Sequence, residues 1–300
     1  MNWANLALLS AAILGAVNII DSHLLSKRMP SLGTFLIPVS IVLLIFGLVL
    51  FLLFPLPEDT SAKILLAAVT LGLLRAGAVF IMLYSLKREE VSRVIPVVYT
   101  YPIFVAVMAV PLLGESLHYL EWLAIIIVVA GAVIISARQS PSGATTWKVK
   151  PLLLLFGSSL LFALSDITSK YVLAYISAWN LLWFNIFCVA GVFLLISIRP
   201  HTFKQMNNIK NRNSAIGLLI FNEVLAIGGL ILSFSAIEKG PVSLVSPIIG
   251  SRPAFVVLYA LILSSVSPMF LEWQPGRRML ALRLIAIAMI FAGISIIYTT

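Results

Sequence analysis

Charge and sulfur are both scarce in this chain. Only 10% of its 300 residues are Asp, Glu, Lys or Arg, only 11 are acidic, three are histidine and one is cysteine. A single cysteine, Cys188, excludes an internal disulfide, and its place midway along an apolar run reads as packing. The three histidines, His23, His118 and His201, are far apart, each near a predicted helix end or in a loop. That spacing excludes a metal site and reads as solvated, interfacial side chains. No Gly-rich phosphate loop stands beside a strand pattern, and no nucleophile–base pair can be found, so an enzyme is not expected and no cofactor is implied. The opening Met-Asn-Trp-Ala-Asn has no basic region and no small-residue cleavage site, so it reads as the start of a first membrane helix and not as a signal peptide.

What the chain has instead is apolar surface. Hydrophobic residues make up 61% and the mean hydropathy is +1.10. No water-soluble protein of this size can hide so much, so the expected class is an all-α integral membrane protein. A spanning helix needs about 20 apolar residues. Ten runs satisfy that, near Asn5–Leu25, Leu32–Phe54, Ile64–Leu86, Arg93–Leu113, Trp122–Ala137, Pro151–Ala174, Asn180–Ile198, Ala215–Ile237, Val242–Val266 and Met279–Tyr298. The most polar connection, Arg138 to Lys150, divides them five and five. The expected organisation is a first repeat over residues 1–138, a linker over 139–150 and a second repeat over 151–300. With an odd number of helices in each half, the second half enters the membrane from the opposite side. The architecture expected is therefore ten transmembrane helices as two inverted five-helix repeats around a central cavity. The ninth connection, roughly Ser267 to Arg278, is longer than its counterpart and reads as a surface loop or interfacial helix with Trp273 at the headgroup level.

The net charge of +9 would elsewhere hint at nucleic acid. Here the basic residues fall in short loops, so no nucleic-acid partner is expected; the partners are the lipid bilayer and a small-molecule substrate. Connections after odd-numbered helices carry fifteen basic residues (among them Lys27, Arg28, Lys87, Arg88, Arg138, Arg199, Lys204, Arg277 and Arg278), and the even-side connections carry only Lys63 and Lys239. By the positive-inside rule the odd loops face the cytoplasm of an inner membrane and both termini lie outside it.

One stretch organises the rest. Val91 to Val105 reads Val-Ser-Arg-Val-Ile-Pro-Val-Val-Tyr-Thr-Tyr-Pro-Ile-Phe-Val; Val242 to Val256 reads Val-Ser-Leu-Val-Ser-Pro-Ile-Ile-Gly-Ser-Arg-Pro-Ala-Phe-Val. Seven of fifteen positions are identical, with Pro96 and Pro102 in one copy matched by Pro247 and Pro253 in the other. Each proline removes a helix N–H and strains the turn before it. Prolines of this kind can simply kink packed helices. Paired interruptions at matching points of two halves also mark a transporter's midplane site.

Further along each half come Gly72, Tyr84-Ser85-Leu86-Lys87, Pro102-Ile103-Phe104, Gly114-Glu115 and Ala130-Gly131-Ala132-Val133-Ile134-Ile135, then Ser235-Ala236-Ile237-Glu238, Pro253-Ala254-Phe255 and Ala292-Gly293-Ile294-Ser295-Ile296-Ile297. In that order and spacing the chain resembles a ten-helix member of the drug/metabolite transporter superfamily, built from two EamA-type repeats. The resemblance covers essentially the whole chain. It implies a basket of helices around a cavity that moves small metabolites, such as amino acids, across a cytoplasmic membrane. The sequence departs from the pattern in lacking a second-half Gly-Glu and the aromatic-Gly pair of helix one. Relatives are often drawn with cytoplasmic termini, against which the loop charges of this chain argue.

Charges at bilayer depth cost from ~2.5 to more than 10 kcal/mol, so they face the bundle interior and pair or serve a substrate. The candidates are Arg75 in helix three, Arg252 within the second proline motif, Asp166 and Lys170 four apart on one face of helix six, and Glu223 in helix eight. The repeat places Asn18 opposite Asp166; Asp21 lies nearer the end of helix one. Internal pairing, Asp166 with Lys170 and Glu223 with Arg75 or Arg252, would leave a purely structural interior. Two guanidiniums against one mid-depth acid leave cationic capacity over, which suits a bidentate carboxylate or phosphate. Both arginines are expected to face the cavity with Glu223 in reach of at least one. Tyr99, Tyr101, Trp183 and Asn185 complete the candidate wall. A proton-coupled exporter would have to use Glu223 or Asp166. Alternatives are a flippase for a lipid-linked phosphate and a receptor or scaffold that transports nothing.

Overall fold

The computed structural model describes residues 1–88, 94, 97–136, 149–209, 211–266 and 277–299. Among these the protein is helical throughout, with no strand. Eight helices are long and apolar enough to cross a membrane, and two shorter apolar helices, Tyr101–Leu113 and Tyr119–Ile135, complete the ten expected runs. In order they are α1 (Trp3–His23, continued by a π turn, Leu24–Arg28), α2 (Leu32–Leu53), α3 (Ala62–Leu86), α4 (Tyr101–Leu113), α5 (Tyr119–Ser136), α6 (Val149–Val172), α7 (Ala178–Ser197), α8 (Arg212–Lys239), α9 in two pieces (Val242–Gly250 and Arg252–Val266) and α10 (Arg277–Thr299). A short helix, Pro200–Met206, lies between α7 and α8. The outer wall carries Leu195, Leu52 and Leu66 at 84%, 71% and 69% exposure, which a lipid environment tolerates and water does not.

Local chemistry sets the ends. Ser31 and Thr34 form a reciprocal capping box at the start of α2, and Ser177 caps α7. Gly114 ends α4 at φ +70°, a left-handed conformation that other side chains resist. Both proline motifs break their helices as the sequence implies. Helix α4 begins at Tyr101, after a turn at Tyr99 and Thr100, and α9 interrupts at Ser251, so Pro102 and Pro253 each fall in the first turn of a new helix, where a missing N–H costs nothing. Pro247 sits inside its helical piece; Pro96 and the proposed linker lie outside the described residues, as does the connection around Trp273.

The helices pair according to a two-fold pattern. The closest pairings are α5 with α10, α1 with α8, α2 with α7 and α3 with α6, and exchanging each helix with the one five later leaves that set unchanged. Equivalent side chains repeat the relation. Ser10 of α1 donates to the Gly229 carbonyl at 2.8 Å, and Ser158 of α6 donates to the Ala78 carbonyl at 2.9 Å. Helices α5 and α10 fix the direction. A Cβ at Gly131 would lie 2.7 Å from the Ile290 side chain and 2.9 Å from the Ala286 carbonyl; one at Gly293 would lie 2.6 Å from Val128 and 2.9 Å from the Ala124 carbonyl. Moving back along α5 moves the contact forward along α10, so the two run antiparallel, and the halves are inverted relative to each other.

Small residues let two backbones touch where lipid offers no hydrophobic gain. Gly131→Val and Gly293→Val should therefore each destabilise by roughly 1–3 kcal/mol, the usual range for overpacking. The two effects should be similar because the contacts are reciprocal. Gly217, with nothing within 4 Å of its missing Cβ, is the control: Gly217→Val should stay within about 0.5 kcal/mol of wild type in a detergent unfolding titration.

Candidate functional site

A cavity of about 160 Å³ opens where the breaks in α4 and α9 meet α1, α3, α6, α7 and α8. An apolar cavity of about that size holds a molecule such as benzene. Its wall includes most of the sequence candidates: Arg75, Tyr99, Tyr101, Asp166, Asn185, Glu223 and Arg252, with Asn18 and Asp21 beside them.

The two arginines differ in kind. Arg75 is 6% exposed and fully engaged: its Nη2 meets Asp166 Oδ1 at 2.5 Å, its Nε donates to Ser165 Oγ at 3.2 Å, and its guanidinium lies 5.0 Å from the Phe234 ring centre. Asp166 also accepts from Ser246 Oγ at 2.9 Å, and Tyr101 donates to the Ser246 carbonyl at 3.3 Å. This cluster ties α3, α4, α6 and α9 together and is electrically neutral. Arg252 makes no hydrogen bond to any described residue, and its buried Nε has no partner. Its position follows from the chain: it is the first residue after the α9 break, where the turn at Ser251 swings it into the cavity.

The remaining polar groups sort by sign. Asn185 is 1% exposed and its Nδ2 has no partner, so with Arg252 it offers free donors. Glu223 and Asp21 offer acceptors. Glu223 is 6% exposed and forms no ion pair among the described residues; Asp21 accepts from Asn222 Nδ2 at 2.7 Å. Asn222 Oδ1, also buried, is unpartnered. Tyr99, at the α4 break, accepts from Asn18 Nδ2 at 2.7 Å.

Four expectations need correction. Asp166 pairs with Arg75 and not with Lys170, so Arg75 has no free charge to offer. Glu223 pairs with neither arginine. Lys170 is not in the cavity wall. One helical turn nearer the end of α6, its Nζ donates to the carbonyls of Ile237, Glu238 and Gly240 at 2.8, 3.3 and 2.8 Å, where the last turn of α8 leaves acceptors free. Trp183 is not in the wall either: its Nε1 donates to the Phe54 carbonyl at 3.2 Å and its ring stacks on Phe184. Sequence spacing showed which face these side chains share but not their depth. The cavity also reaches Asp21, although that residue lies near the end of α1.

Lys170 and Trp183 both bind backbone carbonyls outside the cavity wall. Lining residues on α1, α2 and α3 come from the halves nearest the odd-numbered connections, and those on α7 straddle its middle. At the opposite end Lys170 clamps the end of α8, Asn180 Nδ2 donates to the Phe54 carbonyl at 2.8 Å, and Glu115 caps the start of α9. The Glu115 carboxylate accepts from the Val242 N–H at 2.8 Å, the Ser243 N–H at 3.1 Å and the Ser243 hydroxyl. At the odd end Lys87 donates to the Leu25 and Met29 carbonyls, and its partial burial lowers the ammonium from its ordinary value.

The order of elements, the inverted pairing and the broken helices now meet a direct comparison. Residues 1–137 match the EamA-like transporter family. The likeness lies in the first half of the chain. That family is one of transporters, and eight described helices of this chain are long and apolar enough to cross a membrane, as a multi-pass membrane protein requires. No curated protein matches it in sequence. A solved crystal structure is similar over 98% of this chain and 94% of its own, with a TM-score of 0.65 and 15% identity. At that identity the likeness shows a common fold alone.

Proposed function

We propose that this EamA-like protein is a secondary transporter whose solute carries a carboxylate or phosphate, as an amino acid does, and binds it at Arg252. The observation that carries the reading is the contrast between the two arginines: Arg75 is neutralised by Asp166, whereas Arg252 faces the same cavity with no partner among the described residues. An unpaired guanidinium at this depth is costly, and a bound anion offsets that cost. Asn185 Nδ2 adds a second free donor. A cavity of about 160 Å³ favours a small free solute over a lipid-linked one.

The breaks in α4 and α9 and the clamps at the even-numbered end support alternating access, in which residues 1–138 and 151–300 act as the two inverted repeats, joined by the linker 139–150. Loop charge puts the odd end in the cytoplasm, so the described state faces inward, in the inner membrane, with both termini outside. A reporter active only in the cytoplasm, fused after Thr300, should accordingly stay dark; a bright one would reverse the orientation.

The solute reading is tested by thermal shift on purified protein against amino acids, sugar phosphates, polyprenyl phosphates and nucleobases. Small anion-bearing solutes should stabilise wild type and leave Arg252→Ala unmoved. Stabilisation by nucleobases alone, or equal shifts in both proteins, would overturn it.

A further inference from the structure

Gly114-Glu115 is a pair that only the first half carries, and neither residue lines the cavity. Gly114, in its left-handed turn, ends α4: its N–H donates to the Val110 carbonyl at 3.2 Å, and that of Glu115 to the Ala109 carbonyl at 3.4 Å. The turn carries the Glu115 carboxylate across to the other half, onto the first N–H groups of α9. It accepts from Val242 at 2.8 Å, from Ser243 at 3.1 Å and from the Ser243 hydroxyl. Those N–H groups have no partner inside their own helix and stand at its positive end, so an anion is held strongly there. Two further grips fall on the same short loop. Lys170 Nζ donates to the Gly240 carbonyl at 2.8 Å, and the Trp3 ring lies so close over Gly240 that a Cβ there would meet it at 2.6 Å.

We propose that Glu115 is a gating residue: its carboxylate latches the start of α9 to the end of α4, holds the cavity shut at the even-numbered end, and opens that end when it lets go. The inference rests on the transport reading above. Helices α4 and α9 are the two broken helices, and they meet at two levels. At the breaks Gly250 packs on Pro102, where a Cβ would lie 2.9 Å away, and Tyr101 donates to the Ser246 carbonyl. At the even end Glu115 joins them. All nine residues of the piece Val242–Gly250 are buried, and of these Ile249 lines the cavity. The rest of the piece fills the bundle between the cavity and the even end. The cavity cannot open on that side while α9 keeps its place.

The latch is one-sided. The offset that carries Val91 onto Val242 carries Glu115 onto Val266, which has no carboxylate. Two identical halves would close both ends alike; an acid in one copy stabilises closure at one end and shifts the resting population toward opening at the other. At the odd-numbered end the described grip is that of Lys87 on the Leu25 and Met29 carbonyls, which holds α1 and neither broken helix. Solute and latch also share a lever. Arg252 follows directly on the break at Ser251, so a solute bound there and Glu115 act on opposite ends of one buried helical piece.

Sided labelling of a cavity thiol tests the latch. In the full-length protein with Cys188→Ser, the substitution Ala226→Cys puts a thiol in the cavity wall, and Asp59→Cys in a parallel sample marks the even face. A membrane-impermeant maleimide is then added to one face or the other of oriented proteoliposomes. With Glu115 in place the cavity thiol should react from the odd face. Glu115→Gln should raise its rate from the even face about tenfold or more, the shift that follows loss of one hydrogen bond to a charged group, and lower it from the odd face. Ser243→Ala and Val242→Pro should act in the same direction from the other partner. The first removes the hydroxyl donor and the second the N–H, at a first-turn position after the extended Pro241 where proline fits. A thermal unfolding curve verifies each fold. Unchanged sidedness in folded Glu115→Gln would make Glu115 a static cap and overturn the proposal, and so would equal gains from both faces, which report general loosening. If Glu115→Gln does not fold, the two α9 variants decide by the same readings. The labelling needs no solute, so it stands or falls separately from the Arg252 binding experiment.

Discussion

Asp166→Ala should destabilise the protein by about 3–5 kcal/mol, the loss expected when one partner of a buried ion pair is removed and the other charge stays behind. Arg75 projects from the middle of α3 at 6% exposure, too deep to reach water, and Asp166 at 2.5 Å is the acid that neutralises it. The remaining contacts, Ser165 Oγ and the face of Phe234, supply a dipole and a quadrupole but no countercharge. Asp166→Asn should cost nearly as much, because the lost quantity is charge and not volume. The double variant Arg75→Leu with Asp166→Leu should recover most of the loss, since apolar groups of similar volume often replace a buried pair at little cost. A detergent unfolding titration reads all three. If Asp166→Ala lies within 1 kcal/mol of wild type, Arg75 has another countercharge and the account of this cluster is wrong.

Arg252→Ala should show the opposite pattern: little change in stability and a large change in binding. Its half-buried side chain makes no hydrogen bond to a described residue, so truncation breaks none there and leaves no such partner stranded. Binding of an anion-bearing solute should weaken by about 2–5 kcal/mol, roughly 30- to 5,000-fold, as for other buried hydrogen-bonded charge partners. Arg252→Lys should recover only part of it, because a point charge cannot form the two parallel bonds of a guanidinium with a carboxylate or phosphate. Isothermal titration with the best solute from the thermal-shift series measures each step. Unchanged affinity in a folded Arg252→Ala protein would move the anion elsewhere and leave the α9 break a packing feature.

Much of the fold could be read along the chain. Ten apolar runs, an odd number per half and a repeated proline motif imply membrane helices, inverted halves and two broken helices, and the helices and breaks stand where those signals put them, to within a few residues. The reason is physical: lipid demands long apolar helices, and a proline can only begin a new turn or disturb an old one, so both constraints act locally. In the fourth run residues 94, 97 and 98 are helical, the turn at Tyr99 and Thr100 interrupts, and the regular helix resumes at Tyr101.

That several charged residues face one cavity can be read along the chain; how they pair cannot. Composition alone marks Arg75, Asp166, Glu223 and Arg252 as costly charges that must face inward, and all four line the cavity. Which charge meets which depends on rotation and depth across α3, α6 and α8, quantities that sequence spacing along one helix does not contain. Spacing four apart put Asp166 and Lys170 on one face, yet packing gave Asp166 to Arg75 on a neighbouring helix and sent Lys170 to the open carbonyls at the end of α8. The sequence by itself determined a polytopic helical membrane protein with inverted halves, broken helices and a charged interior, because each of those follows from local solvation. Tertiary structure alone decided that Arg75 pairs with Asp166 while Arg252 has no side-chain hydrogen bond among the described residues, that Lys170 and Trp183 reach backbone carbonyls outside the cavity, and that Asp21 lines it with Glu223, because each of those depends on residues far apart in the chain being brought together.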